Sequence, residues 1–322
     1  MKNKIVLLTG AAGFIGFHTA KLLIKSGYYV VGIDNMNDYY NIDLKNYRLE
    51  QLDKKSFCFY KIDVENKKEL SDLFDKFQFE SVLNLAARAG VRPSMDNPFI
   101  YVNTNLVGCL NILEEMRARN IKKLVQASTS SVYAGHELPY VESLPINTPI
   151  SPYAVSKRAA ELMAYTYHQL YGIDVTIVRY FTVYGPAGRP DMAVYRIIKS
   201  IVEDQEFEMF GDGSQSRDFT YVEDIARGNL AALKDVGYEI INLGGGNNPI
   251  ALTEIIAFVE KKLSKNSNVS VKSFHSTDVK STCANIEKAK KILGWEPETP
   301  LEEGLKRSID WYLENRVFCK NI

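Results

Sequence analysis

Over the first 180 residues, short apolar runs alternate with amphipathic stretches. Ile5–Thr9, Tyr29–Asp34, Phe57–Lys61, Ser81–Leu85, Lys123–Ser128 and Val175–Arg179 read as strands. They are near-continuous apolar segments, the pattern of strands covered on both faces. Between them, apolar positions three and four residues apart predict helices over Phe14–Lys25, Lys67–Phe77 and Phe99–Arg119. Strand–helix alternation implies right-handed crossovers. The expected fold is therefore α/β, a Rossmann-type doubly wound parallel sheet.

Beyond residue 180 the rhythm loosens. Gly185, Pro186, Gly188, Pro190, Gly211 and Gly213 punctuate the chain, helical spacing resumes at Thr253, and a last amphipathic helix runs from about Pro300 to Asn315. This half predicts a smaller C-terminal α/β lobe over 181–322 beside a sheet domain over 1–180, with sheet contributions from about 215–245. Trp295 is expected in the core.

The glycine spacing adds chemistry to this frame. Gly10-Ala-Ala-Gly13-Phe14-Ile15-Gly16 follows the first strand directly and opens a helix. Such glycines permit a tight turn, close backbone approach to a pyrophosphate and close helix–strand packing, while the helix N-terminus offers N–H groups to phosphate. Asp34 ends the second strand, 18 residues past Gly16. A carboxylate there accepts from ribose hydroxyls and repels a 2′-phosphate, favouring NAD over NADP. Asp63, after the third strand, is a candidate neighbour of the adenine. The segment 38–52, rich in tyrosine, predicts a surface loop and helix near the adenosine, with no chemistry assigned.

A second constellation lies further on. Ser151 and Pro152 suit the cap and first turn of a helix ending at Gly172. Tyr153 and Lys157 are four residues apart on it and so share a face. A tyrosine with a pKa of about 10 is a poor base at neutral pH; an ammonium one turn away is expected to favour its phenolate. Ser128, Thr129, Ser130 and Ser131 close the fifth strand, at the carboxyl end where open α/β sheets bind ligands.

Composition narrows the partners. The chain has 322 residues, 46% hydrophobic and 24% charged, with a formal net charge of zero. That balance predicts no nucleic-acid partner. No run of 18 apolar residues occurs, so no membrane span is expected, and spaced glycines break the N-terminal apolar run that a signal peptide would need. The four cysteines, at 58, 109, 283 and 319, form neither a CxxC pair nor a zinc pattern. They predict a cytoplasmic setting and no metal.

Taken together, TGAAGFIG, the Asp34 strand end, NLAA (84–87), STSSVYA (128–134), PYVES (139–143), SPYAVSK (151–157), RYFTVYGPAGRPDMA (179–193), GDGSQSRDFTYVEDIA (211–226) and KAKKILGW (288–295) resemble the sugar-nucleotide epimerase/dehydratase family, nearly end to end and in order. The segments AGVRPS (89–94) and FTVYGPAGRPDMA resemble its UDP-glucuronate 4-epimerases most. The resemblance implies NAD held by Gly10, Gly13, Phe14, Ile15, Gly16, Asp34, Asn35, Asp63, Val64, Leu85, Ala86, Ala87, Tyr153, Lys157 and Tyr180. It implies a catalytic set of Thr129, Tyr153 and Lys157. A UDP-sugar is then expected against Arg88, Arg92, Ser130, Ser131, Thr182, Arg189, Arg217 and Asp278, with Arg217 on the diphosphate and Asp278 near the uridine ribose.

The implied reaction oxidises the sugar at C4, rotates the 4-keto sugar, and returns hydride to its other face. Ser130-Ser131 stands where related dehydratases carry Asp-Glu and decarboxylases a Glu, which favours plain epimerisation. Two positions depart from the pattern: Arg88 replaces a Gln and Ala187 a Trp, both expected near the sugar. A UDP-galactose or UDP-N-acetylhexosamine 4-epimerase and a UDP-glucuronate decarboxylase are the enzymatic alternatives, and an NAD-binding sensor the non-enzymatic one. A homodimer through helices 98–119 and 152–171 is the family expectation.

Overall fold

A computed structural model describes residues 4–246, 249–273 and 279–322. Six strands, β1 (Ile5–Thr9), β2 (Tyr29–Asp34), β3 (Phe57–Lys61), β4 (Ser81–Asn84), β5 (Lys123–Thr129) and β6 (Asp174–Tyr180), pair in parallel with a seventh, β7 (Tyr238–Leu243). Their order is β7-β6-β5-β4-β1-β2-β3. The order reverses at β1, so its C-terminal end opens a crevice, where open α/β sheets take ligands. The predicted strands recur with ends moved by one residue. Of the segment 215–245, only β7 joins this sheet; Phe219–Tyr221 pairs instead with Thr182–Tyr184, and Ser216–Arg217 with Ile250–Ala251.

Alternation along the strands builds two cores. Val6, Leu8, Leu83 and Val125 face helix α1 (Phe14–Lys25), while Leu7, Val82, Leu124 and Ile177 pack on the opposite face among Leu70, Ile112 and Ala160. On that second face run α2 (Lys67–Lys76), α3 (Gly108–Ala118) and α4 (Pro152–Tyr171). A third core, with Ile198, Phe207, Ile255, Val259 and Ile309, fills the C-terminal lobe. Trp295 is buried as expected, its indole N–H donating to the Asp224 carbonyl at 2.8 Å.

The single helix predicted over Phe99–Arg119 is instead divided. Pro98–Tyr101 is followed by a π-helical stretch, Val102–Val107, and then by α3. The wider turn carries Asn105, which clamps the Arg88 backbone through both N–H and carbonyl (2.8 and 3.0 Å) and donates to Ser156 on α4 (2.9 Å). Helical periodicity cannot report this insertion, because its cause is a polar contact to a distant loop.

Candidate active site

The crevice is a cleft of about 390 Å³ along the C-terminal ends of the strands, and its lining runs from the glycine loop to Thr182 and Arg189. Its floor starts at the glycine loop. Gly10 adopts φ +69°, and a Cβ there would meet the Ala86 backbone nitrogen at 2.9 Å. A Cβ on Gly16 would lie 2.1 Å from the Gly10 carbonyl oxygen. Only glycine leaves both the turn and the approach open. Thr9 fastens this loop to β4: its hydroxyl donates to Asn84 Oδ1 (2.6 Å) and accepts the Ala86 N–H (2.9 Å). The cradle fits a pyrophosphate, with Phe14, Ile15, Leu85, Ala86 and Ala87 lining it.

Asp34 lies at the adjoining wall. One carboxylate oxygen accepts the Met36 N–H (2.9 Å) and faces the buried Lys45 ammonium (3.3 Å). Among the described residues its second oxygen accepts no hydrogen bond, and a ribose hydroxyl could use it. Asn35 donates to Asp63 (2.8 Å), and these two with Val64 complete that end.

At the other end of the cleft stand the catalytic candidates. Ser151 caps α4, accepting the Ala154 N–H at 3.2 Å, so that Tyr153 lies in the first turn of the helix. Tyr153 and Lys157 both line the cleft, with Tyr180 behind them. Burial pushes the Tyr153 phenol above its ordinary pKa, while the Thr129 hydroxyl and the Arg189 guanidinium pull it down. The Lys157 ammonium donates to the Ala127 carbonyl (2.8 Å), which fixes it at the end of β5. Burial lowers Lys157 to about 8, although Cys109 and Glu161 oppose the shift.

The hydroxyl run divides. Thr129, Ser130 and Ser131 line the cleft, and Thr129 also accepts the Ser131 N–H at 3.1 Å. Ser128 also borders the cleft, but its hydroxyl donates to the buried Glu161 at 2.5 Å. Thr182, Arg88 and Arg189 line the same end. Arg189 forms a two-pronged pair with Asp191 (3.0 and 2.6 Å). Among the predicted sugar contacts, Arg92 and Arg217 lie outside the cleft lining. Arg92 stacks on Phe210 at 3.9 Å, and Arg217 donates to the Ser216 and Lys280 carbonyls (2.8 and 3.3 Å). Asp278 lies outside the described residues. Ala187 is also displaced from the expected sugar pocket: it is buried, and its carbonyl accepts from Arg48 (3.0 and 2.8 Å).

Sequence reasoning missed Tyr39, Tyr40, Lys45 and Asp191, all of which line the cleft. The tyrosine-rich segment was a visible signal, but nothing local told which ring would turn inward. Among the described residues, no group of three or more His, Cys, Asp or Glu is arranged to hold a metal ion, and no helix is long and apolar enough to cross a membrane.

The profile of the "NAD dependent epimerase/dehydratase family" matches residues 6–244, which span the glycine loop, Tyr153 and β7. The chain belongs to this family. A UDP-glucuronate 4-epimerase of Thermodesulfobacterium geofontis is 53% identical over 317 residues, covering 98% of each chain. The crystal structure of the Bacillus cereus UDP-glucuronic acid 4-epimerase in complex with UDP-glucuronic acid and NAD superposes with a TM-score of 0.90 at 38% identity, covering 96% of this chain and 99% of that one. A UDP-glucose 4-epimerase of Thermotoga maritima, solved with UDP-glucose, is more distant at 30% identity and TM-score 0.87, covering 97% and 99%.

Proposed function

We propose that the chain is an NAD-dependent UDP-sugar 4-epimerase converting UDP-glucuronate to UDP-galacturonate. The observation that carries the reading is that Thr129, Tyr153, Lys157 and Arg189 all line one end of a cleft whose other end is a dinucleotide cradle. Tyr153 accepts the proton of the sugar 4-hydroxyl, and Thr129 hydrogen-bonds the same oxygen. Lys157 and Arg189, both in the lining at that end, are the cations that offset the cost of a buried phenolate. Lys157, pinned on the Ala127 carbonyl, is placed to hold the nicotinamide ribose. Bound NAD would supply the hydride acceptor and return the hydride, so no external reductant is needed.

A ketone at C4 of a uronate stands β to the carboxylate, so loss of CO₂ competes with epimerisation. Fixed donors restrain this by orientation. Ser130, Ser131, Thr182 and Arg189 surround the same end of the cleft and are assigned the carboxylate. Arg88 is assigned the sugar. Arg92, Arg217 and Asp278 are assigned the nucleotide, approached from the C-terminal lobe. Residues 1–180 with β7 serve the dinucleotide, and 181–322 mainly the nucleotide sugar. Four free thiols support a cytoplasmic setting. Phe99, Val102 and Val107 on one helical segment and Val155, Leu162 and Tyr165 on α4 are exposed; this apolar face is assigned to a homodimer.

Incubation of the purified protein with UDP-glucuronate, UDP-glucose and UDP-N-acetylglucosamine, followed by product NMR, tests the reading. UDP-galacturonate from the first is expected. Its absence overturns the proposal, and CO₂ with a pentose product would identify a decarboxylase instead.

A further inference from the structure

The loop 35–41 leaves β2 at Asp34 and enters the helix Ile42–Glu50. It is built rather than slack. Asn35 Oδ1 accepts the Asn37 N–H (3.1 Å), Asn37 Oδ1 accepts the Tyr39 N–H (3.2 Å), and Asn41 caps the helix through the Asp43 N–H (2.8 Å). These side-chain turns fix the path of the backbone.

That path crosses the crevice. β2 and β4 flank β1 on opposite sides. The Tyr39 hydroxyl nevertheless reaches the loop after β4, where a Cβ on Gly90 would lie 3.0 Å from it. The ring also sits 5.5 Å from the Arg189 guanidinium. A segment anchored at the Asp34 end and touching both Gly90 and Arg189 must pass over the glycine loop, and so over the path of a dinucleotide.

We infer that Tyr39 is a positioning residue that straps NAD into the cleft and holds Arg189 against the catalytic tyrosine. The first half needs only the dinucleotide cradle; the second rests on the epimerase reading. The chemistry requires such a strap, because the reduced cofactor must stay while the keto sugar turns over. Its release at that point would strand the enzyme without the hydride it has to return.

The test uses the full chain with Tyr39→Ala and Tyr39→Phe. Release of NADH into excess NAD is followed by fluorescence, and the thermal midpoint is measured alongside as a control for folding. Tyr39→Ala is expected to release NADH about tenfold faster, through loss of the ring's packing over the cofactor, with an unchanged midpoint. Tyr39→Phe keeps the ring and so the strap; it should release NADH at close to the parental rate but lower kcat for the uronate, with KM little changed. A parental release rate in Tyr39→Ala overturns the strap, as does parental protein that sheds NADH as fast as the variant. Parental protein that retains NADH yet forms no UDP-galacturonate overturns the epimerase reading alone. Unchanged kcat in Tyr39→Phe overturns the link to Arg189.

Discussion

Glu161 lies one turn beyond Lys157 on α4 and is fully buried. Its carboxylate accepts from Arg179 Nε and Nη2 (2.9 and 2.7 Å), Ser128 (2.5 Å) and Arg158 (2.9 Å). Arg179 is 1% exposed and also donates to the Tyr133 hydroxyl at 2.7 Å. Glu161→Ala therefore leaves a guanidinium buried without a counter-charge. Breaking a buried pair in this way costs about 3–5 kcal/mol. Unfolding entropy is roughly 2.1 cal/mol/K per residue, or about 0.7 kcal/mol/K for a chain of 322. The expected fall in thermal midpoint is about 4–7 °C, read by calorimetry on NAD-free protein at neutral pH. Burial alone would raise the Glu161 pKa, but Arg179 overrides it and the folded value lies below the ordinary range. The carboxylate thus contributes stability above its unfolded pKa and loses it as pH falls through the folded one. The difference between parent and variant should shrink in acid. A midpoint within about 1 °C of the parent at neutral pH would refute the view that this pair carries the strand end beneath the catalytic threonine.

Tyr153→Phe removes the proton acceptor and leaves the ring packed edge-on to Tyr101 at 6.1 Å; kcat should fall about 10²–10⁴-fold with the fold intact by circular dichroism, and parental turnover would sink the assignment. Lys157, lowered by burial from the ordinary lysine range to about 8, gives up its proton in the folded chain before the unfolded one does. Its contribution to stability therefore rises with pH between those values, and urea midpoints of NAD-free protein at pH about 7.5 and about 9.5 should diverge less in Lys157→Met than in the parent. Leu162 is 50% exposed on the face assigned to the dimer, so Leu162→Glu should convert a dimer to a monomer by sedimentation; an unaltered mass would move the interface elsewhere.

Much of this site is legible along the chain because its parts are local. Gly10, Gly13 and Gly16 lie within one turn of chain, and Tyr153 and Lys157 within one turn of helix. Periodicity of two or of 3.6 residues is a short-range property, so it reports strands, helices and the face a side chain leaves from. Strand ends then place Asp34, Thr129 and Thr182 on one rim of the sheet without further information. What a side chain does after leaving its face is decided elsewhere. Lys157 turns to the Ala127 carbonyl, Ser128 dives to Glu161, and Asn105 opens a π-helical turn to hold Arg88. Tyr39 enters the cleft because its loop spans the crevice to Gly90 and Arg189, and Ala187 leaves it because Arg48, 139 positions away, holds its carbonyl. Each of these is a contact between segments far apart in sequence, whose geometry exists only once the sheet has brought the loops together. The sequence by itself determined the elements, their order and the chemistry available at the strand ends; the tertiary structure alone decided which of those groups meet.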